Sequence, residues 1–139
     1  MYNNSNASLF AGLSRNLEHF ISGIDYVEHL IGKDSVFHDA EVDDIIICRE
    51  KGTVTIQMWT YSDRDFEKEY NVTWLLEDCF KLDIQDYEMN GGSPYVWEME
   101  FELDPETPDR ITIIFGGTGI RAVCRHISIL VEEAPDERY

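Results

Sequence analysis

Pro94-Tyr95-Val96-Trp97-Glu98-Met99-Glu100-Phe101-Glu102-Leu103 alternates residue by residue between Tyr95, Trp97, Met99, Phe101 and Leu103 on one side and Val96, Glu98, Glu100 and Glu102 on the other. Successive side chains of a strand point to opposite faces, so this period of two predicts a strand with one face on a core and one in water. The same period extends outward in both directions. Downstream, Asp104 to Asp109 holds two prolines and reads as a loop, Ile111, Ile113 and Phe115 begin another strand, Gly116-Gly117-Thr118-Gly119 turns the chain, and a last strand covers about Ile120 to Val131. Upstream, Phe80, Leu82 and Ile84 mark a strand running toward a turn at Asn90-Gly91-Gly92. Before it, Phe66 to Leu76 alternates strongly. Thr53 to Tyr61 and Glu41 to Glu50 form a hairpin about Lys51-Gly52. In the first of these strands Val42, Asp44, Ile46 and Cys48 are expected on one face, with Asp43, Ile45, Ile47 and Arg49 on the other.

About seven strands joined by short turns leave no room for the crossover helices of a parallel sheet. The predicted fold is therefore α+β and mainly β, mostly antiparallel, as a curved sheet or a two-layer sandwich. The helical part lies ahead of Glu41. Leu9, Phe10, Leu13, Leu17, Phe20 and Ile21 recur at helical spacing with Ser8 as a cap, and Ile24, Val27, Leu30 and Ile31 form a second stripe ending at Gly32. The reading is a single domain, with a helical segment over about 8–32, a β region over about 41–131 and a polar tail at 132–139.

The chain has 139 residues, 28 of them Asp or Glu and 11 Lys or Arg, for a net charge of −17. With 43% hydrophobic residues it has enough apolar side chain to fold. So negative a surface argues against nucleic acid and anionic membranes, which are held mainly by Lys and Arg. A basic protein remains a natural partner. Met1 to Ser8 lacks the basic start and apolar core of a signal peptide, and no apolar run is long enough to span a bilayer. A soluble cytoplasmic protein is expected. Cys48, Cys79 and Cys124 are odd in number, widely spaced and set among apolar residues, which reads as free thiols.

Phe37-His38-Asp39-Ala40-Glu41-Val42 gathers an imidazole and two carboxylates just before the first strand. Phe37, His38, Asp39 and Glu41 read first as architecture, tying down the start of the strand through side-chain to backbone hydrogen bonds. The alternative is a metal or hydrolytic site of His38, Asp39 and Glu41 with His126, should the fold bring the two histidines together. The glycines of Gly116 to Gly119 lack the following helix that a phosphate loop needs, so a hairpin turn is expected. Cys124 and His126 should share a strand face, without the geometry of a nucleophilic dyad. No catalytic residue and no cofactor is predicted. Glu98, Glu100 and Glu102, with Glu67 and Glu69 if the strands adjoin, form a candidate docking surface for a basic protein, and Trp59 is a candidate aromatic anchor. Exposed strand edges leave a homodimer as a further alternative.

The Phe-His-Asp-Ala-Glu-Val stretch at 37–42 resembles the immunity protein 50 family of bacterial polymorphic toxin systems. The likeness runs over roughly Ile24 to Val131. It includes the Val72-Thr73-Trp74-Leu75-Leu76 strand and the Cys124-Arg125-His126-Ile127-Ser128 segment, which is similar to a Cys-Arg-x-Ile-Ser strand of that family. The resemblance implies a non-enzymatic protein that neutralises a cognate toxin by covering its active surface.

Overall fold

The computed structural model describes residues 17, 19–31, 37–61, 68–85 and 95–134. Its strands are β1 (Ile21–Ser22), β2 (Glu41–Cys48), β3 (Thr53–Tyr61), β4 (Glu69–Glu77), β5 (Lys81–Ile84), β6 (Glu98–Leu103), β7 (Ile111–Gly116), β8 (Ile120–Cys124) and β9 (His126–Glu133), and a helix α1 spans Ile24–Leu30. One sheet has the order β1-β9-β4-β3-β2 and the other β5-β8-β7-β6. The fold is α+β and mainly β, with every pairing antiparallel except β1 with β9. Ser8, Leu9 to Leu13, Gly32, Glu67, the Asn90 to Gly92 turn and the tail beyond Ala134 lie outside the described residues.

The described residues hold nine strands rather than about seven, for two reasons. The segment Ile120 to Val131 is one extended stretch in sequence but divides at Arg125, with β8 in one sheet and β9 in the other. The second reason is Ile21, expected on a helical stripe. It instead pairs in parallel with Ile127, and the Ile127 N–H donates to the Phe20 carbonyl at 2.7 Å. That strand satisfies backbone groups of β9 that would otherwise form an open edge. Helix α1 follows as expected and buries Ile24 and Val27 toward β9, with Ile31 behind them.

Strands β4 and β5 pair with β9 and β8 on both sides of a shared corner, Glu77 with His126 before it and Lys81 with Val123 after it. Three residues, Asp78 to Phe80, thus oppose two, Cys124 and Arg125. The extra residue is accommodated by Asp78 in the left-handed region, φ 51°, which re-aims a strand as a bulge does. The Arg125 N–H donates to the Glu77 carbonyl at 3.2 Å and the Phe80 N–H to Val123 at 2.8 Å, so hydrogen bonding continues through the bend.

The core lies between the sheets. Val54, Ile56 and Met58 of β3 and Val72, Trp74 and Leu76 of β4 are buried from one side, and Ile111, Ile113 and Phe115 of β7 from the other. Trp74 is its centre, with ring centroids 5.4 Å from Phe37, 5.6 Å from Phe115 and 6.3 Å from Phe101. Each large side chain so buried contributes roughly 1.5–3 kcal/mol relative to exposure.

Local irregularities overturn two strict alternations. In β2 the register shifts between Val42 and Asp44, so Ile45 and Ile47, rather than Asp44 and Ile46, continue the inward row begun by Val42. Ahead of β6, Val96 is buried and Tyr95 and Trp97 are exposed, the reverse of the expected faces. The Trp97 N–H donates to the Gly116 carbonyl at 2.6 Å while Glu98 is the register partner of Gly116, which sets two successive residues against one and breaks the period at Trp97.

Candidate functional site

The segment 37–41 closes one side of the sandwich. Ala40 N–H donates to Phe37 (3.0 Å), Asp39 N–H to Val96 (2.7 Å) and Val96 N–H to Ala40 (2.7 Å), and Glu41 bridges Tyr95, so the edge of β2 is tied to the segment leading into β6. Phe37 and Asp39 both adopt left-handed backbone, φ 60° and 68°. Asp tolerates this conformation; Phe does not, and Phe37 is held there by its burial against Trp74. His38 Nδ1–H donates to the Trp97 carbonyl at 2.7 Å. A carbonyl only accepts, so this bond places a proton on Nδ1, with Nε2 lying 3.6 Å from Asp39 Oδ1.

These ties set Trp97 at the surface. Its ring meets His38 edge-on, with centroids 5.0 Å apart, and its side chain is 67% exposed, beside Tyr95 at 56%. The hairpin turn after β7 gives it room. Gly117 has φ 91°, and a Cβ there would lie 3.1 Å from Trp97 Cβ. The turn itself is fixed by Thr118, whose hydroxyl donates to Phe115 (2.7 Å) and accepts from the Ile120 N–H (3.1 Å). A Cβ on the adjacent Gly116 would lie 3.4 Å from Glu100 Oε2, so the acidic row begins where the aromatic cluster ends.

Glu98, Glu100 and Glu102 are exposed on the outward face of β6. Arg121 of β8 reaches across that face to Glu102 (3.5 Å) and is the register partner of Asp83 and Ile114. Glu69 belongs to the other sheet and accepts a hydrogen bond from Trp59 Nε1–H at 2.6 Å. The acidic rows therefore do not merge. Trp59 is half-buried, edge-on to Tyr61 at 4.7 Å and turned outward from the first sheet, so the fold separates it from the β6 glutamates and puts Trp97 beside them instead. The sequence offers no local signal for that exchange, because the bulge depends on Gly116 across the ladder.

His126 is far from His38. It pairs with Glu77 at the corner end of β9, close to Ser22 Oγ (Nε2 at 3.0 Å), whereas His38 precedes the opposite end of β2, on the far edge of the same sheet. Among the described residues no three His, Cys, Asp or Glu side chains are grouped to hold a metal ion. Cys124 and His126 do not share a face either, since the change of sheet at Arg125 turns Cys124 into the core and leaves His126 half-buried on the outward row. All three cysteines are free. Burial, helped by the nearby Cys79, pushes the Cys124 thiol up to about 12, and burial also raises Cys79. Neither is a ready thiolate nucleophile.

No family model, curated protein or solved structure matches this chain. No helix among the described residues is long and apolar enough to cross a membrane.

Proposed function

We propose that the protein is a non-enzymatic binding protein that docks a basic protein partner on the acidic and aromatic surface around β6. The reading is carried by one observation: Trp97, exposed and braced by His38 and Gly117, adjoins the exposed row Glu98, Glu100 and Glu102. Interfaces concentrate their energy in such aromatic anchors, while a single-sign field around them raises the association rate. The Phe37 to Val42 resemblance to immunity protein 50 narrows the partner to a bacterial toxin with a basic active surface, neutralised in the cytoplasm.

The test is direct binding to the product of the adjacent gene, measured by biolayer interferometry with Trp97→Ala and with Glu98, Glu100 and Glu102 all changed to Lys. Loss of Trp97 should weaken Kd about 30-fold, equivalent to about 2 kcal/mol at a hot spot. The triple charge reversal should slow association and flatten its salt dependence. Absence of a complex, or a complex indifferent to both variants, defeats the proposal.

A further inference from the structure

The inward row of β2 is not wholly covered. Ile47 is the register partner of Val54, which is buried, yet Ile47 itself is 55% exposed. Beside it the corner segment crosses between the sheets, tied to the β2–β3 turn by the Cys79 N–H, which donates to the Gly52 carbonyl at 2.8 Å. Between them lies an open cleft of about 310 Å³, a volume within the range of small-molecule sites. Ile47, Val54, Phe80 and Leu82 form its apolar wall, and Arg49 and Lys81 stand at its rim.

The charge of this cleft departs from that of the rest of the chain. Among the described residues no carboxylate lines it, although acidic residues outnumber basic ones 28 to 11 overall. The Phe80 ring also meets two guanidinium groups, that of Arg110 3.8 Å and that of Arg125 5.2 Å from its centroid. Both are already shared with the Asp109 carboxylate, at 3.8 and 3.4 Å, so the cleft's own cations are Arg49 and Lys81. Lys81 lies 3.6 Å from Asp83, but both side chains are substantially exposed, and such a pair holds an ammonium only weakly. Cys48 and Cys79 also line it. The Cys79 thiol, raised by burial, donates to the Lys81 carbonyl at 3.4 Å and adds no negative charge at neutral pH.

We infer that this cleft is a binding site for a small organic anion, with its apolar body against Ile47, Phe80 and Leu82 and its acidic head between Arg49 and Lys81. An apolar body there covers core-facing surface that the second sheet leaves open, and the head meets cations against a partly apolar wall, where screening is reduced. The site uses none of the residues of the acidic surface, so the two proposals fail separately.

The probe is 8-anilinonaphthalene-1-sulfonate, titrated into the folded full chain and followed by fluorescence, with N-phenyl-1-naphthylamine as the uncharged counterpart. Saturable one-to-one binding is expected, at least 10-fold weaker for the uncharged probe and for the double variant Arg49→Glu, Lys81→Glu. Saturating probe should also slow the reaction of Cys48 with a disulfide reagent. Leu130→Asp, which alters a different exposed apolar side chain, should leave binding unchanged, and near-ultraviolet circular dichroism verifies that each variant is folded. Unsaturable binding, equal affinity for the two probes, insensitivity to the charge reversal or loss of binding in Leu130→Asp overturns the proposal.

Discussion

Replacing Phe37 tests both its packing and its backbone. The side chain is 1% exposed and meets Trp74 edge-on, so Phe37→Ala should cost about 3–5 kcal/mol through lost burial and the cavity left beside Trp74. Alanine would still occupy φ 60°, a region that costs an L-residue roughly 1–2 kcal/mol and costs glycine almost nothing. Glycine forfeits about 0.4–1 kcal/mol of that through its freer unfolded chain. Phe37→Gly should therefore be more stable than Phe37→Ala by about 0.5–1 kcal/mol, the reverse of the usual order in a strand or helix. Urea unfolding followed by far-ultraviolet circular dichroism measures both. An Ala variant losing under about 1 kcal/mol, or a Gly variant less stable than the Ala variant, would refute the reasoning.

Three further perturbations follow from single contacts. Gly23, at φ 102°, has the Ile129 carbonyl where a Cβ would be, so Gly23→Ala should displace α1 and lower the urea midpoint by more than the same change at Gly52, whose Cβ position is open. Thr118→Val leaves the Ile120 N–H without its acceptor in a buried turn and should cost about 1–3 kcal/mol by denaturation. Cys124 ionises near 9 when unfolded but is held protonated up to about 12 in the core. The unfolded chain therefore binds fewer protons between these values, and the thiol's contribution to stability falls by roughly 1.4 kcal/mol per pH unit as pH rises through that window. Unfolding curves from pH 8 to 10.5 should show Cys124→Ala with the shallower decline; equal slopes would contradict the assignment.

The strand segments could be read because period two survives wherever one face is buried. Thr53 to Tyr61 and Glu69 to Glu77 keep that pattern without interruption, and their burial follows it residue by residue. What could not be read are the positions where a partner strand interrupts the period. Asp43 and Trp97 each displace an alternation because of what lies opposite, and the change of sheet at Arg125 shifts the buried row from Ile120, Ala122 and Cys124 to Ile127, Ile129 and Val131. The same limit explains the site. Glu98, Glu100 and Glu102 face outward as the alternation predicts, and Trp59 keeps its predicted outward face, half-buried and bonded to Glu69, whereas Trp97 leaves the inward face its spacing predicts and stands exposed above Gly117.

The shared corner has a kinetic meaning. Neither sheet can be completed alone, because the pairing of β4 with β9 and that of β5 with β8 are two stretches of one ladder joining segments some forty to sixty residues apart. Such a ladder closes long loops before it is rewarded by contacts, which slows folding and concentrates stability in one cooperative unit. Amides of Val72 to Leu76 and Ile127 to Val131 should exchange with deuterium only through global opening, while those near the β2–β3 turn exchange through local opening. The bend at Asp78 and Arg125 thus binds the two layers into a single unfolding transition.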